Sequence, residues 1–322
     1  RTYYTYDQAG RLLSRNNEGE TAETFLYDGL DRLVGSTNVT AGTTTFVFND
    51  GATTTTVTTA AGFVTTTTYN KAGELISETH SGSYDVTGTS TFKYDKNGRL
   101  RMSTDATGFN SHFLYDKAGR KIADINHYGD VIEYRYDANN NVIATTRYYQ
   151  RTAAGNLTTL ANPDNSLDMA AIRPVADASD LWSWTIYDAG NRIIQAIDGD
   201  GGVSAFGYDA SNRLVRTDTY FNKVAVAALK TAPPATPVAV TAHTKDTVSR
   251  TFYNKDGQLI GALDGEGYLS EVIYDKAGQK VEEVAYATKT SSSYWATGSF
   301  AQLRSTAAPS SSSNSRVRYV YD

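Results

Sequence analysis

The chain has no cysteine and only 2 methionines and 6 prolines among its 322 residues. Without cysteine there is no disulfide, no thiolate metal site and no thiol nucleophile. No apolar run approaches the roughly 20 residues that a membrane-spanning helix needs. What remains is a chain rich in tyrosine (23) and glycine (26), a composition that favours strands and turns over packed helices.

The net charge of the chain is small and its histidines are few. The formal net charge is −5 and lysine and arginine do not cluster, so attraction to nucleic acid or to an anionic membrane is not expected as a main activity. The four histidines (His80, His112, His127 and His243) show no metal-ligand spacing. Nucleophile-elbow, zinc-protease and phosphate-loop motifs are missing too. We therefore predict no catalytic residue, no cofactor and no metal ion, and hence no enzyme.

One motif recurs through the chain. At Tyr94 the sequence reads Tyr-Asp-Lys-Asn-Gly-Arg-Leu, and a close copy begins 21 residues later at Tyr115. A fixed period of this length is typical of a repeat architecture. The marker aromatics of the 12 copies are Tyr6, Tyr27, Phe48, Tyr69, Tyr94, Tyr115, Tyr136, Tyr187, Tyr208, Tyr253, Tyr274 and Tyr321. A further Tyr-Asp pair, Tyr84-Asp85, lacks the rest of the motif and is interpreted as a decoy.

The motif predicts a hairpin turn. Asp or Asn follows every marker, and Gly, Asn or Asp stands three residues further on in all complete copies except the one at Ala52. These residue types tolerate the left-handed conformation, so the pattern indicates a type I turn closed through a G1 bulge. The predicted left-handed residues are Gly10, Asp31, Gly73, Gly98, Gly119, Asn140, Asn191, Asn212, Gly257 and Gly278.

The flanks of the turn alternate as strands do. A second aromatic stands two residues before most markers, as Phe25, Phe92 and Phe113 do, and predicts an aromatic ladder on one face. A second turn lies in mid-repeat, for example at Asp198-Gly-Asp200-Gly. That sequence begins like a calcium loop, but Val203 and Asp209 stand where an EF-hand needs Gly and Glu, so a turn is favoured. Each 21-residue unit is thus predicted to be one β-hairpin.

A second, longer period of 66 to 72 residues separates Tyr115, Tyr187, Tyr253 and Tyr321. Each long unit is one plain hairpin followed by one with an insert. We predict a single array over 1–322, mostly plain repeats over 1–147, and inserts at 148–180, 220–248 and 286–315. Short helices are expected at Ser166–Ile172 and Ser299–Ser305, with Ser299 as N-cap. The middle insert, broken by Pro233, Pro234 and Pro237, is a poor helix candidate.

In tandem, Tyr-Asp-x-x-Gly-Arg-Leu resembles the RHS/YD-repeat family of large bacterial exoproteins of the Rhs and Tc-toxin shell type, with teneurins as distant relatives. The resemblance covers nearly the whole chain and implies a long antiparallel β-strip that curls into a hollow spiral shell. In bacterial members that shell can enclose a toxic domain. The family's Asp-Pro-x-x-Gly self-cleavage sequence is absent, because no proline here follows an Asp. Self-cleavage and a toxin domain are therefore not carried over.

The resulting hypothesis is a non-enzymatic structural segment of a secreted or cell-surface protein. Since neither end has a polar capping repeat, we expect a piece of a longer polypeptide. Its expected partners are the remainder of that polypeptide and an enclosed toxin domain, a cell-surface glycan or further copies of itself. The alternative is an adhesive or glycan-binding module that uses the inserts and exposed aromatics. Trp182, Trp184 and Trp295 lie outside the repeat register and are the candidate binding residues.

Overall fold

The computed structural model describes residues 1–38, 40–82 and 87–321. The decoy Tyr84-Asp85 and the last motif residue, Asp322, lie outside the described residues. The predicted all-β class is confirmed, since 23 strands form an antiparallel sheet and helices are few and short. The chain divides into two compact units, Arg1–Glu133 with Tyr148–Ala178, and Tyr134–Arg147 with Ser179–Asp322. The predicted single array over 1–322 stays a prediction.

The first unit consists of hairpins followed by the first insert. Its elements are β1 (Thr2–Tyr6), β2 (Leu12–Asn17), β3 (Glu23–Tyr27), β4 (Leu33–Asn38), β5 (Gly42–Asn49), β6 (Thr54–Thr58), β7 (Val64–Tyr69), β8 (Leu75–Ser81), β9 (Gly88–Tyr94), β10 (Leu100–Thr104), β11 (Asn110–Tyr115), β12 (Lys121–Ile125), the start of β13 (Val131–Tyr136), α1 (Ala154–Leu160) and α2 (Met169–Ile172). Each strand pairs with the next one along the chain.

The second unit repeats this plan with two inserts. Its elements are the end of β13, β14 (Val142–Arg147), β15 (Leu181–Tyr187), β16 (Ile193–Asp198), β17 (Val203–Tyr208), β18 (Leu214–Thr219), α3 (Ala227–Thr231), β19 (Thr247–Tyr253), β20 (Leu259–Leu263), β21 (Leu269–Tyr274), β22 (Lys280–Ala285), a 3-10 helix (Ser292–Tyr294), α4 (Phe300–Thr306) and β23 (Ser315–Arg318). Neighbouring strands again pair antiparallel, from β14 with β15 to β22 with β23.

The predicted turn is confirmed at every position where the sequence placed a left-handed residue. All ten have a positive φ, from 59° at Asn191 to 83° at Gly119. The pairing register shifts by one residue at the marker aromatic, as between Leu114 and Tyr115, which is the bulge that the turn type requires. At Ala52 the left-handed residue is instead Thr53, with φ 52°, and β5 and β6 pair without a register shift.

Each insert forms its own apolar core against the sheet. The first buries Leu160 and Ile172 against Leu114, Ile125 and Val131 of the strands. The second packs Val224, Leu229 and Val238 around Trp184 and Ile197, and the third buries Leu303 against Leu263 and Leu269. The inserts are therefore packed layers over the sheet and not loose loops.

The helices correct the sequence analysis in two places. α2 and α4 lie where helices were predicted, and Ser299 caps α4 in a capping box with Gln302. α1 was missed because it has no side-chain cap and contains Gly155 and Asn156, both poor helix formers; burial of Leu160 stabilises it. α3 forms where no helix was expected, but it is only 5 residues long and ends before Pro233.

Candidate functional site: the turn spine and the docked inserts

The Asp of each motif holds its own turn. In the first copy, Asp7 Oδ1 accepts backbone N–H groups from Ala9 and Arg11, each at 2.9 Å, and Oδ2 accepts Arg11 Nε at 2.6 Å. Those hydrogen bonds lower the pKa of Asp7. The same three bonds recur at Asp28, Asp116 and Asp188. The interpretation that these Asp/Arg pairs brace the hairpin, and do not act as acid and base, is consistent with this geometry.

At five of the described turns, an arginine also reaches the next hairpin. Arg11 lies over the Tyr27 ring at 5.1 Å and donates from Nη1 to Asp31 Oδ1 at 2.5 Å. Arg192 repeats both contacts with Tyr208 (4.9 Å) and Asn212 (2.8 Å). Further stacks of a turn arginine on the following marker join Arg32 to Phe48, Arg99 to Tyr115, and Arg213 to Tyr253. These five turns are thus tied to their successors.

The marker tyrosine makes the return link. Tyr115 donates its hydroxyl to the Leu100 carbonyl of the preceding hairpin at 2.9 Å. The same bond joins Tyr94 to Leu75, Tyr187 to Val142, Tyr208 to Ile193, Tyr274 to Leu259 and Tyr321 to Lys280. We call the marker aromatics, their Asp and their Arg the turn spine. The hydroxyl bond was missed at the sequence level, because its acceptor is a backbone carbonyl 15 or more residues away.

The turn spine also changes the meaning of the predicted aromatic ladder. Equivalent strands of successive hairpins are two strands apart, or roughly 9–10 Å, which exceeds the 4.5–7 Å of ring contacts. Ring-on-ring contacts between successive ladder aromatics are not found in the described part of the chain. The arginine on the intervening strand fills the gap, so the spine alternates aromatic rings with guanidinium groups.

The three inserts begin with the same docking contacts. Tyr148, Tyr220 and Tyr286 each donate their backbone N–H at 3.0 Å to the carbonyls of Val131, Val203 and Leu269. Four residues later, Thr152, Val224 and Thr290 each donate at 2.9 Å to Gly129, Gly201 and Gly267. These glycines have a positive φ of 86° to 93°. The backbone hydrogen bonds therefore recur with the same longer period.

A buried carboxylate holds the first and the third insert. Glu133 is 4% exposed and accepts Arg173 Nη2 at 2.7 Å, Arg173 Nε at 3.0 Å and the Tyr148 hydroxyl. Burial and the bond to Glu133 raise the pKa of Tyr148. In the third insert Glu271 accepts Arg304 Nε at 2.8 Å and the Tyr286 hydroxyl. In each case the sheet supplies the Glu and the insert supplies both the Arg and the Tyr.

The middle insert uses an amide in place of the carboxylate. The position equivalent to Glu133 and Glu271 is Ala205, which pairs across the sheet with Gln195. Gln195 is 3% exposed and forms two hydrogen bonds with the Val238 backbone, donating at 3.0 Å and accepting at 2.7 Å. In the middle insert, the polar side chain that holds the insert therefore lies on the neighbouring strand, and it binds a backbone group in place of an Arg and a Tyr side chain.

The three candidate tryptophans make their contacts within the chain. Trp184 is 1% exposed and its indole N–H donates to the carbonyl of Leu229 in α3, at 3.0 Å. Trp182 is half-buried and stacks on Trp184 at 5.7 Å. Trp295 is half-buried and donates to Thr290 Oγ1 at 2.9 Å. They attach inserts to the sheet, and binding of an outside ligand by them stays a prediction.

Side chains of the sheet lie against the carboxyl end of α1. Lys93 Nζ donates to the Ala161 carbonyl at 3.4 Å, and the His112 ring lies beside the Leu160 carbonyl. His112 is 2% exposed, and burial, helped by the charges of Lys93 and Arg101, lowers its pKa. Carbonyls at a helix end carry partial negative charge, so this arrangement stabilises the helix.

Chemically reactive groupings are not apparent in the part of the chain that the structure describes. The candidate calcium loop is a turn, since Asp198 Oδ1 accepts the N–H groups of Asp200 and Gly202 at 2.9 and 2.8 Å. Among the described residues no group of three or more His, Asp or Glu side chains is placed to hold a metal ion. Nor does a helix there have the length and apolarity to cross a bilayer.

Residues 1–80 match the family model of the Teneurin YD-shell. Those residues carry the first four copies of the motif, and the later copies continue it with the same turn, bulge and spine contacts. This match supports the assignment to the RHS/YD-repeat family that the motif predicted. No curated protein matches the chain.

Two solved structures are similar to this chain. The Tc holotoxin pore of Photorhabdus luminescens matches with 12% identity and a TM-score of 0.47, over 82% of this chain and 14% of that chain. The TcdB2-TccC3 complex matches with 11% identity and a TM-score of 0.37, over 89% of this chain and 19% of that chain. This chain thus spans less than a fifth of either structure's length.

Proposed function

We propose that this chain forms part of the wall of a β-shell in a secreted or cell-surface YD-repeat protein, and that it performs no catalysis. The turn spine is the observation that carries the proposal. Among the described residues, six marker tyrosines bind the preceding hairpin through their hydroxyl and five turn arginines stack on the following marker, so many steps along the sheet share the same contacts. Such a spine supports a mechanical function, because its polar groups are engaged by their neighbours and not directed at a substrate.

The wall would enclose or display other parts of the same polypeptide. The match to the YD-shell model and the resemblance of the motif support this reading, in which the wall would serve toxin delivery or contact-dependent interaction. The partners we propose are the remainder of the longer polypeptide and an enclosed toxin domain. The docked inserts fit this role, since they thicken the wall over one face of the hairpins that they cover.

Electron cryo-microscopy of the natural full-length polypeptide tests this proposal. We expect this segment to lie in the wall of a hollow particle, with protease-resistant chain inside it. If the segment instead stacks into a fibre or lies on a solid domain, the wall function is wrong.

The second candidate is an adhesive or glycan-binding module. Exposed aromatic side chains on turns, such as Phe109 (46% exposed) and Tyr128 (56%), favour it. Trimming the inserts is a poor test, because Leu160, Ile172 and Leu303 belong to buried cores that trimming would open. Single exposed side chains are better targets, and one such group is considered next.

A further inference from the structure

Three aromatic side chains and an arginine meet on the mid-repeat turns of the first unit. Phe109 closes the turn between β10 and β11, and His127 and Tyr128 lie in the turn between β12 and β13. Arg151 comes from the start of the first insert. Phe109 is 46% exposed, Tyr128 56%, and His127 and Arg151 are exposed as well. Three separate chain segments thus supply one surface group, which we call the aromatic cluster.

The geometry of the aromatic cluster is set by the backbone. The Phe109 ring lies 4.6 Å from His127 and 6.0 Å from Tyr128, and Arg151 lies 5.4 Å from the Tyr128 ring. Arg151 is held by the docking bond from Thr152 N–H to the Gly129 carbonyl, and its Nε donates to Asp130 at 3.0 Å. The turn around Tyr128 is closed by Asn126 Oδ1, which accepts the Tyr128 and Asp130 N–H groups. The rings are therefore presented on rigid turns.

We propose that the aromatic cluster binds a carbohydrate, with the C–H faces of sugar rings packed against Phe109 and Tyr128, whose ring planes are inclined by 48° to each other. This site rests on the second candidate function, for which it names the residues, and does not depend on the wall function. Asp130 and Arg151 stand at its rim and would accept from and donate to sugar hydroxyls, as charge-assisted hydrogen bonds. Fixed aromatic faces beside a carboxylate and a guanidinium match a ligand that is apolar on its ring face and polar at its edge.

The size of the surface favours a sugar over a protein. An aromatic side chain has roughly 200 Å² of surface, so two half-exposed rings offer only about 200 Å². A stable protein interface needs roughly 800 Å² from each partner. Rigid presentation lowers the entropy cost of binding a small ligand. A short oligosaccharide fits the available surface, and a protein does not.

A second group in the other unit provides an internal control. Phe221 is 52% exposed, stacks on His243 at 4.4 Å and has Lys245 over it at 4.7 Å. There the nearby carboxylate, Asp246, already accepts the N–H groups of Phe221 and His243. The ion pair between Arg151 and Asp130 has no counterpart here among the described residues, since Lys245 forms no ion pair with Asp246.

Saturation-transfer NMR on the whole chain tests the proposal with cellotetraose, chitotetraose, maltotetraose and sialyllactose as probes. We expect transfer to the ring protons of at least one probe. Phe109→Ala and Tyr128→Ala should each weaken its binding by about tenfold or more, and Phe221→Ala should leave it unchanged. Arg151→Gln should weaken binding while both rings stay in place, which keeps the test decisive if an aromatic variant loses its fold.

Two results would overturn the proposal. One is the absence of transfer to all four probes. The other is binding that survives in a folded Phe109→Ala, Tyr128→Ala double variant. Loss of binding in Phe221→Ala alone would place the site in the other unit and would equally reject the aromatic cluster. The fold of each variant is checked by circular dichroism, and none of these outcomes depends on whether the chain forms a shell wall.

Discussion

At the scale of single residues, the left-handed turn position is the strictest requirement. Gly119 has φ 83°, and a Cβ added there would meet no atom within 4 Å. A substitution at Gly119 is therefore disfavoured by its backbone conformation and not by crowding. Gly29 provides the contrast, because its added Cβ also meets no atom and its φ is not in the left-handed region.

We expect Gly119→Val to lower the free energy of unfolding by about 1–3 kcal/mol, since a β-branched residue resists a positive φ. Gly29→Val, the matched control, should cost clearly less. Urea denaturation of both variants measures the difference. Equal costs would mean that backbone strain is not what the glycine relieves.

The marker hydroxyl is the second feature at this scale. Tyr115→Phe removes the bond to the Leu100 carbonyl and should cost about 0.5–1.5 kcal/mol, as loss of a partly buried hydrogen bond does. Tyr69→Phe is the control, because the Tyr69 hydroxyl bonds no described residue and the side chain is 37% exposed. Chemical denaturation should separate the two variants, and the hydroxyl link has no energetic role if it does not.

At the scale of elements, the inserts are the informative part of the chain. Each is attached by the same two backbone bonds, but the side-chain anchor differs, being Glu133 or Glu271 in two inserts and Gln195 in the third. A buried carboxylate depends on its partner, because an unpaired charge in the interior is costly. The inserts should therefore be sensitive to loss of their arginines.

We expect Arg173→Ala to destabilise the first unit by about 2–4 kcal/mol, since it leaves Glu133 buried without its ion pair. The control is Arg15→Ala, which removes an exposed pair with Glu23 and should cost at most about 1 kcal/mol. Limited proteolysis within 148–178, together with thermal unfolding, checks both. Protease resistance equal to that of the unchanged chain would contradict the role assigned to Arg173.

His112 predicts a pH dependence of the same unit. Its pKa is lowered by burial below the usual 6.5, so the unfolded chain takes up a proton before the folded chain does. Stability is therefore present above pH 6.5 and falls as the pH drops below it, by at most about 1.4 kcal/mol per pH unit for one proton. The groups facing His112 are Lys93 from β9, Arg101 from β10 and the Leu160 carbonyl of α1.

Between pH 7.5 and 5.5, the unchanged chain should lose more stability than His112→Gln, whose side chain does not titrate. Urea denaturation at several pH values gives both slopes. Identical slopes would show that His112 does not titrate differently in the folded and unfolded states.

At the scale of the whole molecule, repetition dictates what can be removed. Residues 49–69 are one plain repeat between the markers Phe48 and Tyr69 and touch no insert core. Their removal would place Phe48 before Asn70-Lys71-Ala72-Gly73, which restores a complete turn. Side chains alternate between the two faces of the sheet along each strand. A deletion one residue shorter would therefore move the side chains before the deletion to the opposite face, relative to the side chains after it.

We expect the chain without residues 49–69 to unfold cooperatively. Its free energy of unfolding should fall only by the contribution of the exposed Arg32–Asp50 ion pair, which is about 0–1 kcal/mol. In the chain without residues 49–68, the free energy of unfolding should fall by several kcal/mol, or unfolding should no longer be cooperative. Circular dichroism during urea unfolding compares the two. If both deletions behave alike, the period of 21 residues does not set the register.

Much of the fold could be predicted from the sequence because its signals are local. The left-handed positions, from Gly10 to Gly278, lie within four residues of the Asp that forms each turn. The alternation of strands and the longer period between Tyr148, Tyr220 and Tyr286 are likewise patterns along the chain. α1 escaped prediction because packing of Leu160, and not propensity, stabilises it.

The sequence by itself determined the repeat, the turn type and the positions of the inserts, since each depends on backbone preferences over a few neighbouring residues. Tertiary structure decided how the repeats are joined and what the inserts contact. The Tyr115 hydroxyl bond, the Arg11 bridge and the burial of Trp184 all link side chains to groups 15 or more residues away. Their partners are fixed only when neighbouring strands align, so no spacing in the sequence could name them.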